Sequence, residues 1–227
     1  MRWYLAALMA RPPAVQALRV PSPDGRYGPA GGEAMSLVLL GDSLSVGVGV
    51  RRRWETPGAQ LARGIVEKTG RAVELRVLGR AGATTGQLRR QVRALSGVPV
   101  GTAVIIVGCN DVLLPVRLGR AAARLGRVAA GLRAAGWQVA VLPCVDWSAA
   151  PGLRRWIRAT AIRRSRRLAA LQRRAAGEAG VRVGTLPVDD FRARPAELFS
   201  PDGCHPSAAG YALQSARAVG DMFWTGP

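Results

Sequence analysis

The chain has 227 residues, 48% of them hydrophobic and 21% charged, enough to bury one well-packed domain and too apolar for a disordered polymer. Its net charge of +19 invites nucleic acid as a partner, yet Lys68 is the only lysine and just 5% of residues are aromatic. An excess carried by arginine, in a chain rich in alanine and glycine, reads as codon bias, and no specific nucleic-acid partner is expected.

At the N-terminus "MRWYLAALMA" is apolar for eight residues after Arg2, and "RPP" follows at 11–13. A secretory leader wants a longer apolar stretch and a clear small-residue cleavage site, so a cytoplasmic chain is the expectation and secretion is not favoured. Residues 1–35, rich in Pro and Gly from 11 onward, read as an extended arm before a domain over 36–227. Beyond 35, apolar runs alternate with amphipathic stretches, the pattern of an α/β fold with a parallel sheet. Strands are expected at 36–40, 73–78, 103–107, 139–143 and 181–186, and helices at 57–69, 84–96, 117–135, 153–179 and 207–222. The run AVIIV at 103–107 is β-branched throughout its centre, as suits a strand covered on both faces. Within "RRWIRATAIRRSRRLAALQRR", 154–174, helical spacing turns Ile157, Ala161, Leu168 and Leu171 inward and leaves the arginines solvated. Weak association of that arginine face with an anionic membrane, or contact with an acidic substrate, is the alternative. Nothing in the sequence sets an oligomeric state.

Ligands of open α/β sheets sit beyond the carboxyl ends of the strands, and the turns at those ends are distinctive here. The first strand runs into Gly41-Asp42-Ser43, the second into "GRAGATTG" with Gly82, the third into "GCND" with Asn110. The last connection holds "PDGCHPSAAG", with Asp202 and His205. Taken singly, each is ordinary turn or cap chemistry, and Asp111 reads equally as a helix cap. That plain reading has to hold four times on one sheet edge.

The alternative is acyl chemistry. A serine hydroxyl needs a base within hydrogen-bond reach, and His205 is the only histidine. Asp202, three residues upstream on a tight turn, is placed to accept from the ring nitrogen that faces away from Ser43. The Ser43 amide, the Gly82 amide and the Asn110 side chain are candidate donors to a developing oxyanion, each such donor being worth ~3–4 kcal/mol. Cys109, Cys144 and Cys204 form no C-x-x-C pair, and one histidine makes no multi-histidine centre. Neither a metal nor an organic cofactor is expected. Cys109 and Cys204 either line the site or make it sensitive to oxidation.

"GDSL" at 41–44, the Gly82 turn, "GCND" at 108–111 and "DGCHP" at 202–206 together resemble, in order, the four blocks of the SGNH (GDSL-type) hydrolases. The likeness spans about 36–222, and "CHPSAAGYAL" resembles the small actinobacterial esterase branch. The block around Gly82 lacks the asparagine that relatives often carry just upstream. The resemblance implies a flavodoxin-like three-layer α/β/α sandwich with a five-stranded parallel sheet. It also implies Ser43 as nucleophile, Asp202 and His205 completing a triad, and Gly82 and Asn110 in the oxyanion hole. The expected activity is hydrolysis of a small-molecule or lipid carboxylic ester. Acyl transfer or deacetylation on a sugar or lipid, and a binding module for anionic surfaces, are the alternatives. Specificity is expected from loops 44–58, 112–118 and 144–156, where Trp147 and Trp156 are either walls of an acyl pocket or simple packing.

Overall fold

The computed structural model describes Met9 and residues 20–223, the Phe223 side chain excepted. The strands are β1 (Gly25–Tyr27), β2 (Met35–Gly41), β3 (Val73–Val77), β4 (Thr102–Ile106), β5 (Gln138–Leu142) and β6 (Arg182–Val183). The helices are α1 (Ser43–Val46), α2 (Pro57–Thr69), α3 (Leu88–Arg93), α4 (Cys109–Leu113), α5 (Leu118–Ala134), α6 (Arg155–Glu178), α7 (Val188–Ala193), α8 (Pro195–Leu198) and α9 (Ala208–Phe223).

One sheet orders the strands β1-β3-β2-β4-β5-β6. Strands β2 to β6 pair parallel, and β1 joins β3 antiparallel at the edge. The expected five parallel strands are all present, but the sheet has a sixth, which comes from the segment read as a free arm. Asp24 caps that edge, its carboxylate accepting from the Val77 amide at 2.9 Å, while the Arg53 guanidinium donates to the Asp24 carbonyl at 3.2 Å. The remainder of the expected arm, 1–8 and 10–19, lies outside the described residues, as does the leader question. Among the described residues no helix is long and apolar enough to cross a membrane.

Alternation along β2 divides the core. Leu37 and Leu39 pack with Leu61 and Ile65 of α2, whereas Val38 and Leu40 pack with Leu88 of α3 and Leu125 of α5. Helices α2 and α9 pair on one side of the sheet, and α5 and α6 pair on the other, giving three layers. Helix α2 fills its expected range because both ends are punctuated. Thr56 accepts from the Ala59 amide, Pro57 opens the first turn, and Gly70 closes it at φ +69°. Helix α3 is shorter than expected, since residues 85–87 wind as a 3-10 turn before it. Strand β6 keeps only two of its expected residues, and α7 and α8 occupy what read as loop.

Candidate active site

Strand β2 ends where only glycine fits. Gly41 sits at φ +137°, and a Cβ there would lie 1.8 Å from the carbonyl oxygen of Ile106 on β4. Gln91 of α3 brackets it, accepting from the Gly41 amide and donating to the Gly41 carbonyl, both at 2.8 Å. Asp42 then caps α1 by accepting from the Leu44 amide at 3.0 Å and reaches across to accept from the Gly108 amide at 3.1 Å. The turn after β2 and the turn after β4 are thereby bolted together. Burial pushes the Asp42 carboxyl up to about 6, against the pull of those two amides.

Ser43 opens α1, so its amide precedes any intrahelical partner, and among the described residues it donates to nothing. Its hydroxyl lies 3.0 Å from His205 Nε2. The other ring nitrogen, Nδ1, is 2.6 Å from Asp202 Oδ2. Asp202 Oδ1 accepts from the Ser200 hydroxyl at 2.9 Å and from the Cys204 and His205 amides at 2.8 and 2.9 Å. Burial raises this carboxyl, but the hydrogen bond and charge of His205, with the two amides, outweigh it and hold the group below the usual range. The turn itself is pinned by Gly152, whose amide donates to the Gly203 carbonyl at 2.9 Å. Nδ1–H therefore faces a carboxylate, leaving Nε2 as the lone-pair nitrogen toward Ser43.

After the neighbouring strand β4, Asn110 in the first turn of α4 donates one amide hydrogen to the Ala83 carbonyl at 2.8 Å, which leaves its second hydrogen free. Gly82 is at φ +82°, with open space where a Cβ would be and no partner for its amide among the described residues. Asp111 is not a helix cap. Its carboxylate accepts from the Thr85 amide and hydroxyl at 2.9 and 2.8 Å, tying the Gly82 loop to α4. The structure thus brings every expected site residue, Ser43, Gly82, Asn110, Asp202 and His205, to one rim. A hydroxyl beside an oriented imidazole, with unspent donors nearby, is suited to attack on a carbonyl carbon.

Four ties went unread in the sequence. Gln91 holds Gly41, Asp42 holds Gly108, and Gln172 joins the Cys144 amide to the Val107 carbonyl at 2.7 and 2.9 Å. Arg164 of α6 donates to the carbonyls of Asp111, Val112, Leu114 and Val116 at 2.8–3.0 Å. The partners lie 28 to 66 residues apart in the chain, beyond the reach of local pattern. Trp147 and Trp156 do not wall an acyl pocket. The first is core, 5% exposed, and the second stands in solvent, 67% exposed. The cavity beside the triad is lined instead by Leu44, Val145, Phe191, Phe199, Cys204 and Pro206, and at about 30 Å³ it holds little more than one water. Burial lifts the Cys204 thiol to about 12, and the Cys109 thiol is pushed well up by its hydrogen bond to Cys144 and by burial, so both are packing groups of low reactivity. No group of three or more His, Cys, Asp or Glu among the described residues could hold a metal ion.

Comparison with known proteins bears on the same segment. The model of the GDSL-like Lipase/Acylhydrolase family matches residues 39–213. The GDSL-like esterase Rv1075c of Mycobacterium tuberculosis is 36% identical over 208 residues, covering 85% of this chain, which in turn spans 66% of that curated relative's length. Among solved structures, the psychrotrophic esterase EstA from Pseudoalteromonas sp. superposes with TM-score 0.65 at 18% identity, over 82% of this chain and 96% of that one. The acetylxylan esterase Axe2 from Geobacillus stearothermophilus gives TM-score 0.61 at 18% identity, over 85% and 96%. These two likenesses are of fold. The family match runs from the strand that delivers Ser43 to the helix that follows His205, and on it the chain belongs to the GDSL-like lipase/acylhydrolase family.

Proposed function

We propose that the protein hydrolyses carboxylic esters through an acyl-enzyme formed on Ser43. His205 Nε2 removes the hydroxyl proton as Ser43 Oγ bonds to the acyl carbon, and the carbonyl π pair moves onto oxygen. The Ser43 and Gly82 amides and the free Asn110 hydrogen receive that oxyanion. Collapse breaks the bond to the alkoxy oxygen, to which His205 returns the proton. Water, deprotonated by His205, then attacks the acyl carbon and releases the carboxylic acid, restoring Ser43. Asp202 holds the ring in one tautomer and stabilises the imidazolium formed twice per turnover. A single observation carries this reading: the unbroken chain Ser43 Oγ, 3.0 Å, His205, 2.6 Å, Asp202. The names of the relatives, all esterases, agree with it.

A fluorophosphonate probe tests it directly. Oγ should displace fluoride at phosphorus, labelling the protein once, and peptide mapping should place the label on Ser43. Ser43→Ala should lose both the label and turnover of p-nitrophenyl acetate. Labelling that persists in that variant would overturn the assignment.

A further inference from the structure

We propose that the active-site rim docks on an anionic phospholipid bilayer and that the substrates are esters presented from it. The substrate clause rests on the hydrolase reading above; the docking does not. Among the described residues three large hydrophobic side chains stand exposed, Trp54 (51%), Trp156 (67%) and Val100 (57%). Val100 precedes β4, at the far edge of the sheet. Trp54 lies in the turn that leads into α2, after β2 and α1, and Trp156 in the first turn of α6, which follows β5, so both sit at the carboxyl edge of the sheet, where Ser43 is. They open helices that pair with different partners, α2 with α9 and α6 with α5.

Cations surround each indole. The Arg52 guanidinium lies 5.6 Å above the Trp54 ring, with Arg51 exposed beside it. Arg155 precedes Trp156, and Thr160, Arg163 and Arg167 follow at spacings of four, three and four, along one face of α6. That stretch and the connection Pro115–Gly119 enclose a groove of about 660 Å³. None of Arg51, Arg52, Arg117, Arg155, Arg163 or Arg167 has a carboxylate partner among the described residues. Carboxylates elsewhere are well used: Asp146 alone binds Arg166 and Arg192. Indoles placed with unneutralised guanidinium groups suit the headgroup layer of an acidic bilayer, where the ring enters the interface and the cation meets phosphate. A purely solvated arginine face would give the two indoles no part.

Co-sedimentation of the full chain with vesicles of phosphatidylcholine alone, or of an equimolar phosphatidylcholine and phosphatidylglycerol mixture, tests the docking. The mixed vesicles should be bound, the neutral ones not, and binding should fall as salt rises. Trp54→Ser with Trp156→Ser, and separately Arg163→Ser with Arg167→Ser, should each weaken partitioning about tenfold. Lys68→Ser with Arg71→Ser removes the same charge from the opposite edge and should leave it unchanged. Equal losses from both arginine and lysine sets would reveal a general polycation and overturn the proposal, as would full binding by the double tryptophan variant or no binding at all. Fluorophosphonate labelling of the unaltered chain, read separately, distinguishes failure of the hydrolase reading from failure of the docking.

Different contacts carry a second inference: the geometry points to Arg164 as a positioning residue for Asn110. Helix α4 has five residues, too few to hold its own shape, and its carbonyl end would be left without partners. The Arg164 guanidinium makes four hydrogen bonds there from Nε and Nη2, to carbonyls from Asp111 through Val116. Asn110, in the first turn, is aimed only as well as that helix is fixed. Arg164→Met should lower kcat about tenfold with KM little changed, and Arg164→Lys should restore part of it. In an Asn110→Ala background the same change should cost less than about twofold in kcat, because the donor it positions is gone. Losses that multiply in the double variant would mark Arg164 as merely structural and overturn the inference.

Discussion

Alanine at His205 is expected to cut kcat for p-nitrophenyl acetate by about a thousandfold or more, with the fold intact. The size of the loss follows from the inventory around Ser43. Serine's hydroxyl is a poor nucleophile at neutral pH, and its neighbour at 3.0 Å is the chain's one imidazole. No carboxylate can take over. Asp42, adjacent in sequence, has its oxygens committed to the Leu44 and Gly108 amides. Asp202 is separated from Ser43 by the ring itself. Reaction of the fluorophosphonate should slow in parallel, since it draws on the same activated oxygen, while the Ser43 site stays present. Steady-state kinetics beside a thermal melt checks both halves, and a loss below about tenfold would mean that another base serves Ser43.

Gly41→Ala should damage the fold more than any loop substitution, by about 4 kcal/mol or more. The added carbon would enter the Ile106 carbonyl at 1.8 Å, inside backbone that cannot swing aside. Relief requires parting β2 from β4 at their paired ends, Gly41 opposite Ile106, and releasing the two Gln91 hydrogen bonds. At φ +137° an L-residue is strained as well. For a domain this size such a cost lowers the melting temperature by roughly 8–16 °C. Gly82→Ala is the comparison. It too has positive φ, but open space awaits its Cβ, so only conformational strain of about 1–2 kcal/mol applies. A melt in which the two variants fall equally would refute the steric account.

How far pattern carries a reader is visible at particular residues. Helix α2 is legible at both ends because Thr56, Pro57 and Gly70 are neighbours of what they terminate. The β4 strand is legible because covered strands are monotonously apolar. Strand β1 is not, since three edge residues, Gly-Arg-Tyr, alternate without an apolar run and gain their conformation from β3. Helices α7 and α8 escape for a similar reason, each being too short to show a period. The triad residues were readable because Asp202 and His205 are only three positions apart and Ser43 follows a strand. The ties that hold them, Gln91 to Gly41 and Arg164 to α4, link residues 48–53 apart, and no local signal announces such partners.

Asp202 and His205 share one turn, whereas Ser43 joins them from 162 positions away. The acid–base couple is therefore a prefabricated cassette, and its union with the hydroxyl is an achievement of the whole domain. Fraying at either end parts the cassette from its target while leaving most helices in place. Ester turnover is thus a gauge of closure between the first and last elements, able to fall silent while circular dichroism still reports a folded chain.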